Sequence, residues 1–165
     1  MGKRVRVLSK NMFDSILPRM KIDDLNVEYQ HNLAFISIRN SDMPDMSYFK
    51  KNHTNVLNLV FDDETKEGND LRVKSGIRES QLFTREQAKQ IIDFVEMNKN
   101  VDIIYVHCLA GQSRSGAVGL FINDIWGEQS YYDFAQSNPI IKPNFFIVAL
   151  LRRVYNNIEE DYGDK

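Results

Sequence analysis

The chain is 165 residues long, 42% hydrophobic and 27% charged, with 21 Lys and Arg against 23 Asp and Glu, which is the length and composition of one folded domain with its own core. The near-balance of charge gives no case for nucleic-acid or anionic-membrane binding, no apolar run approaches the ~18 residues of a membrane span, and the first residues, Met1-Gly2-Lys3-Arg4-Val5-Arg6, lack the apolar core of a signal peptide, so a cytoplasmic protein is expected. A single cysteine, Cys108, excludes an internal disulfide, and the scattered His31, His53 and His107 form no zinc set, so no metal or other cofactor is expected.

Residues 3–8 alternate apolar and basic, the period of a half-buried strand. Residues 11–20 have helical spacing through Met12, Ile16 and Leu17, with Pro18 predicting an early stop or a kink. Residues 33–38 form a second strand, closed by the turn-rich stretch 39–45. His31 and His53 read as ordinary surface or loop histidines, and Lys50, Lys51 and His53 as a small solvated basic patch. A third strand, 55–61, runs directly into Asp62-Asp63-Glu64.

From 62 to 82 the pattern dissolves into Asp, Glu, Lys, Gly and Ser, and a polar loop of that length inside a domain predicts a lid or binding loop. Thr84-Arg85-Glu86-Gln87 is a capping box, with Ala88, Ile91, Ile92 and Val95 at helical offsets behind it and residues 98–100 as the stop. Residues 101–106 are short and almost continuously apolar, as a strand covered on both faces of a parallel sheet should be. Ala117, Val118, Leu120, Phe121, Ile122, Ile125 and Trp126 make a helix apolar nearly all round, stopped by Gly127, and such a helix must be central. Residues 131–136 are a short helix interrupted by Pro139. Pro143 suits a first helical position, followed by Ile147, Leu150, Leu151, Val154, Tyr155 and Ile158 at helical spacing. The acidic tail, about 159–165, is expected to fray.

Between the apolar strand and the central helix lies Cys108-Leu109-Ala110-Gly111-Gln112-Ser113-Arg114-Ser115. A turn of this kind sets backbone N–H groups around a concavity at a helix N-terminus, where unpaired donors and the helix dipole favour an anion such as a tetrahedral oxyanion. Leu109 to Ser113 supply the amides, and Arg114 offers a planar fork to two oxygens of the anion. The same positive environment favours Cys108 as thiolate, the nucleophilic form. A thiolate in line with a phosphate ester gives a phosphocysteine, and one carboxyl group can protonate the leaving oxygen and then deprotonate water. Asp62 and Asp63 lead as that carboxyl because they close a strand and open the mobile loop; Asp70 is the fallback. Ser115 can donate to the departing thiolate, Gln112 can orient the water, and His107 is expected to fix the loop through backbone hydrogen bonds.

His107-Cys108-x-x-Gly111-x-x-Arg114-Ser115 resembles the signature of the cysteine-dependent protein tyrosine phosphatases, and the fuller run through Gly116 looks most like the dual-specificity and small microbial or viral branches. A strand ending in Phe61-Asp62-Asp63, the Phe83-Thr84-x-x-Gln87-Ala88 helix start and Pro143-Asn144 extend the resemblance in outline over 33–158. It implies one α/β phosphatase domain over residues 1–165, a central, mostly parallel sheet flanked by helices on both faces, and catalysis without metal. It also implies Cys108 as nucleophile, Arg114 as phosphate binder and Asp63 as general acid, with Asp62 in support. Asp63 precedes Cys108 by 45 residues, a longer interval than is usual among small members, and the excess falls in the polar loop. The expected substrate is a phosphorylated protein or peptide, carrying phosphotyrosine with or without phosphoserine and phosphothreonine. A phosphoinositide or RNA 5′-triphosphate, and a phosphoprotein-binding module without turnover, are the alternatives. Loops for highly charged substrates carry extra lysines, whereas positions 109 and 112 are Leu and Gln.

Overall fold

The computed structural model describes residues 2–43 and 47–163, with 158–163 described by backbone alone. In chain order the elements are β1 (Arg4–Ser9), α1 (Lys10–Arg19), β2 (Leu33–Arg39), β3 (Val56–Val60), α2 (Lys66–Lys74), α3 (Arg85–Met97), β4 (Ile103–Cys108), α4 (Arg114–Trp126), α5 (Tyr131–Ser137) and α6 (Phe145–Gly163). The strands form one sheet in the order β1-β4-β2-β3, every pair parallel. Parallel pairing brings all four carboxyl ends to one edge, which is where open α/β sheets hold their sites. Ser9 lies beside Cys108 there, and Ser37 beside His107.

Alternation along the strands sends side chains to two separate cores. Val5, Val7, Ile36, Ile38, Ile104 and Val106 pack with residues of α3, α4, α5 and α6 on one face. Leu8, Phe35 and Val56 pack with Phe13 and Leu17 of α1, and with Val27 and Phe49, on the other. The expected α/β layering is therefore present, with a sheet that is wholly parallel. Helix α4 is buried continuously from Arg114 to Asn123. Gly119 is what permits that seating, because a Cβ there would lie 2.6 Å from Val7 Cγ2. The outer edge of β1 is closed by one buried side chain: Val7 N donates to Asn138 Oδ1 (2.7 Å) and Asn138 Nδ2 donates to the carbonyl of Val5 (3.2 Å).

Several expectations are corrected. The stretch 62–82 is not a structureless loop; it contains α2, capped by Thr65 Oγ1 accepting from Gly68 N (3.0 Å) and fastened by Ser80 N donating to the buried Asn69 Oδ1 (2.7 Å). Its Leu71 and Val73 are exposed, so it has no apolar stripe to betray it. β4 begins two residues later than expected, because Val101 N is spent on the Asn98 carbonyl in the turn leaving α3. Pro18 lies inside α1, next to its last residue, where the missing N–H costs only the bond to the Asp14 carbonyl. Pro143 precedes α6 rather than opening it: Asn144 is the cap, its Oδ1 accepting from Phe146 N (3.0 Å) and Ile147 N (3.4 Å). The α6 backbone then continues to Gly163, into the tail expected to fray; 164–165, and 44–45 of the expected turn, lie outside the described residues. His53 is a loop histidine but takes no part in a solvated patch. Its side chain is 4% exposed, with Nε2 2.8 Å from Asp24 and Nδ1 3.5 Å from Glu28, while Lys50, Lys51 and His31 are exposed as expected.

Candidate active site

The loop from Cys108 to Arg114 joins the end of β4 to the start of α4. Its tight return needs Gly111, which has φ 72°, and whose missing Cβ would lie 2.5 Å from Ser9 N and 2.6 Å from the Leu8 carbonyl carbon. The loop's carbonyls are taken up by its neighbours. Leu109 O accepts from Lys10 N (3.1 Å), Gln112 O from Lys142 N (2.8 Å), and Ser113 O from Asn144 N (3.1 Å) and Ala117 N (2.9 Å). The amides of 109–113 have no acceptor among the described residues. Unpaired donors at the N-terminus of a central helix are a ready cradle for an oxyanion.

Cys108 is 2% exposed, and its Sγ lies 3.0 Å from the Oγ of the fully buried Ser115. Arg114 is also enclosed: one Nη donates to the Phe61 carbonyl (2.9 Å), and its buried Nε has no partner among the described residues. A guanidinium buried with an unused N–H beside unpaired amides is a group waiting for an acceptor. His107 meets the Cys108 carbonyl through Nδ1 at 3.4 Å, the backbone tie expected of it, and is held more closely by a side chain that was not expected, Ser37 Oγ at 2.8 Å from Nε2. Desolvation by burial pushes His107 down to about 4, and the ring is neutral at physiological pH. A neutral ring has one N–H; Nδ1 faces a carbonyl, which can only accept, so Nδ1 donates and Nε2 accepts from the Ser37 hydroxyl.

The three candidate aspartates separate cleanly. Asp62 is bound on every side, accepting from Ser41 N (2.9 Å), Ser41 Oγ (2.7 Å) and Gln81 N (2.8 Å). Burial works against its charge, but the Ser41 and Gln81 hydrogen bonds and the Arg114 charge outweigh it and hold the carboxyl below its ordinary range. Asp63 is exposed and reaches the Cys108–Arg114 loop itself, its Oδ1 accepting from Ser113 Oγ (2.7 Å) and Asn144 Nδ2 (3.0 Å). Asp70 is an exposed residue of α2 and has no part in the arrangement. A hollow of about 250 Å³ beside Arg114 is walled by Asp62, Asp63, Ser41, Arg72 and Arg78. Arg78 donates to Ser41 Oγ (2.6 Å) and Arg72 donates twice to the Arg78 carbonyl (3.2 and 3.1 Å), so the segment after α2 is laced to Asp62. Asn144, Ser41, Ser37 and Arg78 are the site residues that sequence reasoning did not assign. Only Asn144 carried a signal, a Pro-Asn pair ahead of a helix, and that signal speaks of capping and not of its reach to Asp63. Among the described residues no His/Cys/Asp/Glu cluster could hold a metal ion.

No family model and no curated protein sequence matches this chain. Among solved structures, the Cydia pomonella PTP-2 phosphatase superposes with a TM-score of 0.53 at 13% identity, over 91% of this chain and 84% of that one. PTPMT1 in complex with PI(5)P gives 0.50 at 14% identity, over 96% and 94%. The human tyrosine phosphatase-like serine/threonine/tyrosine-interacting protein aligns over 81% and 83% at 20% identity, with a TM-score of 0.47. The fold is that of the cysteine-dependent protein tyrosine phosphatases.

Proposed function

We propose that this chain, built on that fold, is a cytoplasmic protein phosphatase that hydrolyses phosphotyrosine, with or without phosphoserine and phosphothreonine, through a phosphocysteine. The observation that carries the reading is the enclosure of Cys108 Sγ, 3.0 Å from Ser115 Oγ, in a loop whose amides and whose Arg114 Nε have no acceptor among the described residues. In the first step the Cys108 thiolate attacks phosphorus, the P–O ester bond breaks, and Asp63 gives its proton to the leaving oxygen. The amides of Leu109, Ala110, Gly111, Gln112 and Ser113 and the Arg114 guanidinium hold the equatorial oxygens, where charge must be stabilised. In the second step water, oriented by Gln112, attacks phosphorus, Asp63 takes a water proton, and the S–P bond breaks. Inorganic phosphate leaves, and the thiolate is stabilised by the Ser115 hydroxyl. Asp62 and His107 act in support: Asp62 anchors the segment bearing Asp63, and His107 braces the cysteine backbone.

The neutral Leu109 and Gln112 side chains support a singly phosphorylated residue over a polyanion, and a phosphorylated protein or peptide is the proposed partner. The likeness to PTPMT1, whose structure holds PI(5)P, makes a phosphoinositide the substrate to test against it. Wild-type protein without added metal should release phosphate from an aryl phosphate and from phosphotyrosyl peptides faster than from a phosphoinositide or a 5′-triphosphate RNA. Cys108→Ser should abolish turnover and Arg114→Lys should lower it ~10²-fold or more. Full activity in Cys108→Ser would overturn the mechanism, a phosphoinositide preference would overturn the substrate class, and tight phosphopeptide binding without phosphate release would identify a binding module.

A further inference from the structure

The two oxygens of Asp63 are not equivalent. Oδ1 accepts from Ser113 Oγ (2.7 Å) and Asn144 Nδ2 (3.0 Å), whereas no donor among the described residues reaches Oδ2. We infer that Asn144 is a positioning residue of the reaction, holding Oδ1 so that Oδ2 is the oxygen that gives the proton to the leaving group and takes it back from water. The inference rests on the proposed role of Asp63 as general acid.

Asn144 is suited to this because it grips both parties. Its backbone N donates to the carbonyl of Ser113 in the phosphate loop (3.1 Å), and its side chain donates to Asp63 and to the carbonyl of Glu64 (3.2 Å). One residue thus sets the distance between the acid and the loop that would hold the phosphorus. The orientation of its amide is fixed independently of Asp63. Oδ1 of Asn144 accepts from the Phe146 and Ile147 amides at the head of α6, and a flipped amide would press N–H against N–H there and carbonyl against carboxylate at Asp63.

The arrangement serves both protonation states. When Asp63 is a carboxylic acid with its proton on Oδ2, Oδ1 is the carbonyl oxygen and still accepts both hydrogen bonds; when it is a carboxylate, the same two bonds persist. No donor has to move between the two steps, which is the advantage of a preorganised acid. Asp62 cannot exchange roles with it, since Ser41 and Gln81 occupy both of its oxygens.

The test separates positioning from capping. Ser and Asp both cap helices, but Ser is too short to reach Asp63 from this position, and Asp has no N–H to donate and sets a like charge there. Asn144→Ser and Asn144→Asp should melt near the wild-type temperature. Their kcat/KM for phenyl phosphate, whose leaving group needs the proton, should fall about tenfold or more, while kcat/KM for difluoromethylumbelliferyl phosphate, which reads the same first step without that need, stays within about threefold. In an Asp63→Ala background neither change should cost anything further. The ratio of the two kcat/KM values does not depend on the fraction of protein that is folded, so it carries the same reading if the Asn144 variants fold poorly. Equal losses for the two esters, or losses that multiply with that of Asp63→Ala, would overturn the inference. Asp63→Ala alone reads the premise: a uniform loss across leaving groups removes the acid role itself, whereas a leaving-group-dependent loss there with none in the Asn144 variants removes only this inference.

Discussion

His107 shows how a residue can be conspicuous in sequence while its partner is not. Its position before Cys108 suggested a brace for the loop, but the tie to Ser37 depends on β2 lying beside β4 in one particular register, and a linear sequence carries no register. Its ring also lies 4.1 Å from that of Phe13, in the core under α1. Burial there depresses its titration to about 4, against an ordinary value of 6.5. The sign follows from linkage: between those values the unfolded chain binds the proton that the folded protein refuses, so stability is whole above pH 6.5 and is lost as the pH falls toward 4, on the order of 3 kcal/mol in all. Urea denaturation at pH 7 and at pH 4.5 should show this loss, and His107→Gln should flatten it. An unchanged slope in the variant would mean that other groups account for the acid sensitivity. The neutral ring also contributes no charge to Cys108 at physiological pH, which leaves Arg114 and the backbone amides as the electropositive groups of the Cys108–Arg114 loop.

Elements were legible where local rules and packing agree. The α3 start is a capping box as expected, with Thr84 Oγ1 accepting from Gln87 N and Thr84 N donating to Gln87 Oε1, both at 3.1 Å. The central helix was legible from its all-round apolarity, although α4 begins at Arg114 and so takes in two residues assigned to the loop. Helix α2 was not legible, because it is held by a threonine cap, one buried asparagine and backbone contacts to Arg72, none of which produces a hydrophobic period. Two glycines separate the two tasks of the β4–α4 unit. Gly111→Ala forces an L-residue into φ 72°, a cost of ~1 kcal/mol or more, and drives a methyl into the β1 backbone, so it should displace the loop. A shift of about 1 Å there should lower kcat/KM ~10²-fold in the folded protein. Gly119→Ala instead pushes α4 away from Val7 and should cost about 1–3 kcal/mol in urea denaturation, with kcat/KM of the folded fraction unchanged. The reverse pattern would mean that α4 seating, and not loop geometry, controls the chemistry.

At the scale of the whole molecule, the two cores lie on opposite faces of a single four-stranded sheet, and neither can open without losing the strands that form the floor of the other. β4 contributes Ile104 and Val106 to one core and Tyr105 to the margin of the other, then ends in Cys108. The loop that follows is fastened to the head of α1 through Leu109 and to the α5–α6 connection through Gln112 and Ser113. An oxyanion bound in that loop would therefore be linked to the stability of every layer, and two cores that share one sheet should respond as one unit. Tungstate at 100 times its Kd adds about 2.7 kcal/mol to the folded state, which for a chain of this length is a rise in Tm of about 5 to 10 °C. Calorimetry should show one cooperative transition that moves upward as a whole in wild-type and in Cys108→Ser, since the amides and Arg114 remain, and that does not move in Arg114→Ala. Two transitions, only one of them responsive, would show that the faces of the sheet unfold separately and that the anion is felt by one alone. A full tungstate shift in Arg114→Ala would place the anion elsewhere.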